Sequence, residues 1–178
     1  MSRTALNEPV IKALAELLQA NLGVECTAIN NELADDYTLE QPVAILPYMP
    51  FALTLEQGMP LVAIQDLPST FENDLQYSME SEHTLGIASI LQTSDHATLA
   101  WQLRRYNQAI MQVIQTDRMQ GTSSVMRTKG GVTYVEFLST EPGPMLGDRD
   151  PDADGIPPTS FRSWTWLIIK CRRLEIGG

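Results

Sequence analysis

Cysteine is nearly absent: Cys26 and Cys171 are the only two among 178 residues. Two cysteines so far apart give neither a disulfide framework nor a metal knuckle. They read as two buried thiols of a protein made in a reducing cytoplasm. Positive charge is also scarce, with 12 Lys and Arg against 22 Asp and Glu, for a net charge of -10. That balance excludes a broad basic face for gripping nucleic acid, and electrostatic docking on anionic membranes. No apolar run approaches the roughly 20 residues of a membrane-spanning helix. The opening "MSRTALNEPVIKALAELL" does not read as a secretory signal, because its apolar positions are periodic and interrupted by Lys12 and Glu16. No internal repeat or low-complexity tract breaks the chain. Histidine is limited to His83 and His96, and no G-x-S-x-G occurs, so no nucleophile elbow is legible. "TKGGVT" lacks the spacing of a phosphate loop, which leaves Gly130 and Gly131 as turn residues.

What is present is a set of periodic segments. "NEPVIKALAELLQANLG" predicts a helix capped by Asn7, with Pro9 in its first turn and Gly23 closing it. Val10, Ile11, Leu14, Leu17, Leu18 and Leu22 give it one apolar face. Residues 24–40 read as irregular, with a short strand at 25–29. "QPVAILP" suits an edge strand because prolines bound it. "PLVAIQ" reads as a buried strand, and residues 69–82 as a polar loop or weak helix. "HTLGIASILQ" predicts a strand that leads into the helix "SDHATLAWQLRRYNQAIMQVIQ", capped by Ser94 or Asp95. Leu99, Leu103, Tyr106, Ile110, Val113 and Ile114 form that helix's buried stripe. "GTSS" and "KGG" bracket a short turn region, and "GVTYVEFLS" alternates as a strand. A long Pro- and Asp-rich loop is expected at 140–160. "SWTWLIIKCRRLEI" closes the chain as a strand apolar on both sides.

This order predicts one α+β domain over residues 1–178: an antiparallel or mixed sheet, two amphipathic helices on one face, and long loops. The Trp164, Trp166 and Ile168 side of the last strand is expected to meet the helices.

The charged candidates have bland and sharp readings. His96 beside Asp95 reads as part of a solvated helix cap. Glu80, Glu82 and His83 offer ligands without a matching cluster elsewhere. Arg104 and Arg105 read as the wet face of the second helix, or as donors to an intersubunit ion pair. "KCRR" places Lys170, Arg172 and Arg173 at one strand end, either protecting a sheet edge or meeting an acidic neighbour. "DRDPDADGIPP", which opens on Asp148, has Asp150, Asp152 and Asp154 at alternating positions before Gly155, as in the first half of a calcium loop. Counting from Asp150, the twelfth position is Phe161, where a bidentate Glu belongs. Arg149 and Arg162 can neutralise these carboxylates without a metal. No metal or cofactor is therefore expected, and the segment reads as a contact arm.

The layout resembles the tail terminator, or tail completion, proteins of long-tailed bacteriophages. The resemblance rests on "VIKALAELLQANL", on "QPVAILP", and above all on "LGIASILQTSDHATLAWQLRRYNQAIMQVIQ" leading into late strands. It implies a virion protein of the neck or tail, synthesised in the host cytoplasm and without enzymatic activity. It implies a homo-oligomeric ring, usually a hexamer, that caps the tail tube protein and meets neck or connector proteins. DNA would pass through such a ring without specific binding, and negative charge suits the lining of that channel. Residues 24–60 and 140–160 look longer than the minimal fold, so an adaptor, stopper or connector of the same neck fits as well. Two other classes fit the residues: a calcium-dependent binding module, and an enzyme whose site is assembled from scattered residues.

If 148–158 is a contact arm, thermal unfolding should be the same with calcium and with chelator. Replacing Asp150, Asp152 and Asp154 by Asn should impair assembly and leave the fold intact. A chelator-sensitive transition would overturn the reading.

Overall fold

The structure, a computed structural model, describes residues 8–49, 59–67, 80–147 and 159–174. The readings of Asn7 as a cap, of residues 69–79 and of the segment 148–158 fall outside these residues.

Among the described residues, three helices and six strands make an α+β fold. The helices are α1 (Glu8–Leu33), α2 (His96–Met119) and the short α3 (Val125–Gly130). The strands are β1 (Ala44–Leu46), β2 (Leu61–Leu67), β3 (Glu80–Thr93), β4 (Val132–Pro142), β5 (Leu146–Gly147) and β6 (Phe161–Leu174). They form one sheet in the order β1-β2-β3-β6-β4, with β5 also paired to β6. β1 runs parallel to β2, and the other pairs are antiparallel. Since β3 and β4 both oppose β6, they run the same way. α2 is the crossover that joins them, and the last strand fills the gap between them.

α1 runs further than its sequence suggested. Gly23 does not end it, and the strand expected at 25–29 is helix. A glycine in a helix interior costs about 1 kcal/mol relative to alanine. The buried stripe nevertheless continues past it through Cys26 and Ile29, and that burial offsets the cost. The Gln41 side chain packs where a Cβ on Gly23 would stand. α1 stops where Ala34 turns into the left-handed region, its N–H bonded to the Asn30 carbonyl at 3.0 Å.

α2 follows its sequence closely. Asp95 caps it, its carboxylate accepting from the Thr98 N–H at 2.7 Å; the Thr98 hydroxyl foremost, and then this backbone bond, hold the carboxyl below its ordinary range. The expected stripe, Leu99, Leu103, Tyr106, Ile110, Val113 and Ile114, is buried throughout. The turn region after it contains a 3-10 turn at Gly121–Ser123 and then α3. Buried Asp117 organises this corner: it accepts from the Ser124 hydroxyl at 2.6 Å and from the Val125 N–H at 2.7 Å. Gly131 ends α3 at φ 69°, a conformation that strains any side chain.

The main core lies between the helices and one face of the sheet. Val62, Ile64, Leu85, Ile87, Leu167, Ile169 and Cys171 supply the sheet side. Trp164 and Trp166, expected to meet the helices, point the other way and pack with Leu61, Ala63, Ala88 and Ile90. The physical reason is the two-sided apolar character of β6: where both faces are buried, alternation gives no phase. Trp166 lies over Gly86, where an added Cβ would come within 2.8 Å of its ring. The connection expected at 140–160 is also shorter: residues 140–142 finish β4, and β5 pairs with the start of β6.

Leu103 is 7% exposed within the α2 stripe. Leu103→Ala is expected to cost about 2–5 kcal/mol in chemical denaturation, as for other buried leucines. A cost below about 0.5 kcal/mol would show that the site is not packed.

Candidate assembly interface

The basic residues singled out as interface candidates divide sharply. Arg105 is not on the wet face of α2. It is buried and forms a two-pronged ion pair with Asp35 of its own chain, one prong at 2.8 Å. The same guanidinium donates to the Tyr37 carbonyl and lies 5.5 Å from the Tyr37 ring. Helical phase explains the correction: Arg105 follows Leu103 by two residues and precedes Tyr106, so its stem leaves from the border of the buried stripe. Arg104, one residue earlier, is exposed and lies 5.2 Å over the Trp101 ring.

Lys170 and Arg172 do not protect an edge. β6 is paired on both sides. Both cations meet Glu82 of the adjacent β3, Lys170 at 2.6 Å and Arg172 at 3.0 Å. That register sets Glu82 directly opposite Arg172, and the two cations hold its carboxyl below the ordinary range. Arg173 is partly buried, opposite Ser81 of β3 and Val132 of β4. Asp148, Asp150, Asp152 and Asp154 lie outside the described residues. Phe161, in the twelfth position of the calcium-like pattern, opens β6 and packs against the core.

His83 is buried, its Nε2 at 2.8 Å from the Ser81 hydroxyl. Cys26 and Cys171 are free and buried. Burial pushes both thiols up to about 12, out of the range in which a thiolate attacks or binds metal. Among the described residues no three His, Cys, Asp or Glu converge as a metal would require, and no helix is long and apolar enough to cross a membrane.

What the sheet does offer, among the described residues, is two open edges. Among the described residues β4 pairs only with β6, and β1 only with β2. Along the β4 side, Tyr134, Leu138, Met145 and Leu146 are each 42–48% exposed. β4 carries two register shifts and ends at Pro142, both of which limit indiscriminate strand pairing. An open groove of about 320 Å³ lies between α2 and this strand, with Arg104, Gln108, Met111 and Thr140 on its walls. On the opposite side, Val24, Val43 and Tyr48 are exposed. A groove of about 330 Å³ lies there between α1 and β1. Each side thus combines apolar area with hydrogen-bonding backbone, the ingredients of a protein–protein contact.

The segment 34–41 joins α1 to the edge strand and is clamped onto α2. Asn30 bonds both the N–H and the carbonyl of Leu39, at 2.8 and 2.9 Å. Gln102 donates to the Thr38 carbonyl at 2.8 Å, and the Tyr106 hydroxyl donates to the Glu40 carbonyl. Sequence reasoning left this stretch irregular. Its signal was the "DD" pair at Asp35 and Asp36, set beyond a helix end and with no nearby cation in sequence.

No family model matches the chain, and no curated protein matches it in sequence.

The hydrogen bonds from Arg105 hold the Asp35 carboxyl below its ordinary value. A carboxylate with a depressed folded-state pKa stabilises the fold above the unfolded pKa, and loses that contribution as pH falls through the folded value. Asp35→Asn is therefore expected to lower Tm at pH 7. The gap from the parent should close as pH falls below about 4, the ordinary carboxylate range. A gap that stays constant down to pH 2 would show that the ion pair is not its source.

Proposed function

We propose that the chain is a structural protein of a bacteriophage neck or tail: a tail terminator that forms a closed six-fold ring, caps the tail tube and joins it to the head–neck complex. The observation that carries this reading is the pair of open, apolar sheet edges. A ring built by rotation needs two different patches on each copy, one for each neighbour. The β4 side and the α1–β1 side are such a pair. They lie at opposite ends of the strand order, so a neighbour can engage each without competition.

Two further features support it. The α+β architecture, with helices on one sheet face, agrees with the resemblance of the sequence to tail terminators. The net charge of -10 suits a wall past which DNA must slide without sticking. The role asks for no catalytic group. An adaptor, stopper or connector of the same neck would use the same two edges, and its position in the particle separates it from a terminator.

Native mass spectrometry of the protein, alone and after incubation with tail tubes, tests the ring. Six copies on the tube are expected, whether or not the free chain is monomeric. Leu138→Lys, at an exposed edge position, is expected to change stability by no more than about 0.5 kcal/mol and to prevent ring formation. An assembled particle holding this chain as an isolated monomer would sink the proposal.

A further inference from the structure

The chain has a basic corner that the fold consumes only in part, since Arg172 there is already paired with Glu82. Arg118 lies in the last turn of α2, Arg127 in α3, and Arg172 near the end of β6. Arg118 and Arg172 approach the same Tyr134 ring, at 5.4 and 5.7 Å from its centre. A groove of about 180 Å³ opens beside them, walled by Arg118, Arg127, Ser124, Thr133 and Tyr134. Among the described residues neither Arg118 nor Arg127 has a carboxylate partner. The adjacent Asp117 points inward and is occupied in capping α3. Arg118 and Arg127 are therefore the two cations of the groove that a further anion would meet.

We infer that this groove receives the acidic segment 148–158 of a second copy of the chain. The inference rests on the ring reading above and names one of its contacts. Charge complementarity is the first reason. The segment holds Asp148, Asp150, Asp152 and Asp154 against Arg149 alone, and it is stiffened by Pro151, Pro157 and Pro158.

Tether length is the second reason. The segment leaves the sheet at Gly147 and returns by Thr159, beside Phe161 at the start of β6. The groove lies at the far end of that strand, where Tyr134 pairs with Arg172. Arg172 stands eleven steps along the strand from Phe161, a span of about 37 Å at strand spacing. A loop of eleven residues held at both ends reaches out only about 20 Å. Even with an arginine reaching back, the segment falls short of its own groove. It meets the groove of a neighbour when copies pack with one's acidic end against the other's basic corner. Such a contact is heterologous and repeats around a ring.

Disulfide trapping in the full chain tests the contact. Asp152→Cys and Arg127→Cys are made as separate variants, mixed under assembly conditions and oxidised. The native thiols are buried and do not interfere. A linked dimer that forms only in the mixture is expected. The variant carrying both substitutions should give a ladder of linked copies. A cross-link confined to one copy, or no cross-link in assembled rings, overturns the inference.

A synthetic peptide of residues 146–160, titrated into the protein by fluorescence anisotropy, provides the second arm. Arg118→Glu with Arg127→Glu is expected to weaken it at least tenfold, with Arg118→Ala and Arg127→Ala as a milder pair should the first fold poorly. Replacing the four aspartates of the peptide by Lys should restore binding to the charge-reversed protein. Binding of a 20-base-pair DNA duplex to the same arginines, without binding of the peptide, would overturn the inference in favour of a nucleic-acid contact. Rings that persist in the charge-reversed protein would remove this contact and leave the ring reading standing. A parent protein that never assembles on tubes would remove both.

Discussion

β6 must lie between β3 and β4, and most of the molecule depends on that insertion. α2 carries the chain from β3 to β4 across a one-strand gap. Without the last strand, both neighbours would present unpaired backbone to the space beneath α2, where burial without a partner is costly. β6 closes both ladders. It also sends Leu167, Ile169 and Cys171 up into the helix layer, and Trp164 and Trp166 down onto the opposite face. The Thr165 hydroxyl accepts from Asn107 of α2 at 3.1 Å, a polar tie within an otherwise apolar contact. Because α2, α3, β4 and β5 lie between β3 and β6 in the chain, their pairing closes a long loop, and topology of that kind slows folding.

The same arrangement decides where the molecule is open. A strand with partners on both sides cannot serve as an edge, so the cations of β6 turn to Glu82 within the sheet. The edges fall instead to β1 and β4. β1 is only three residues long, and its position is fixed from behind by the clamped segment 34–41. Arg105 is central to that clamp. A buried guanidinium left without an anion would destabilise the core, so Asp35 and the Tyr37 carbonyl fix the path of the chain as they neutralise it. A short edge tied from behind on one side and a bulged, partly apolar edge on the other are what the proposed ring would use.

Much of the fold was legible where one periodicity acted alone. The α2 stripe from Leu99 to Ile114 showed because one face is apolar and the other polar. The edge character of residues 44–46 showed through Pro42 and Pro47. Legibility failed where two signals competed. Gly23 looked like a helix end, yet burial of Cys26 and Ile29 outweighed its local cost. The phase of β6 was hidden because both of its faces are apolar. At the candidate interface, Arg104 kept its expected exposure, while Arg105 went to Asp35, 70 residues away. No local pattern encodes a partner at that distance.

By itself the sequence determined the apolar stripes of α1 and α2, the Asp95 cap and the places of β1, β2, β4 and most of β3 and β6. These follow from periodicity, from turn chemistry and from side chains that bond their own neighbours in the chain. It also determined the acidic balance and the unusual charge pattern of 148–158. Only the tertiary structure decided which strands are edges, because edge status depends on where β6 inserts and not on the residues of β4 or β1. It alone decided which cations are consumed. Lys170, Arg172 and Arg105 find carboxylates brought close by the sheet register and by the path of the 34–41 segment. Arg118 and Arg127 find none among the described residues, and so remain available where α2, α3 and β4 meet.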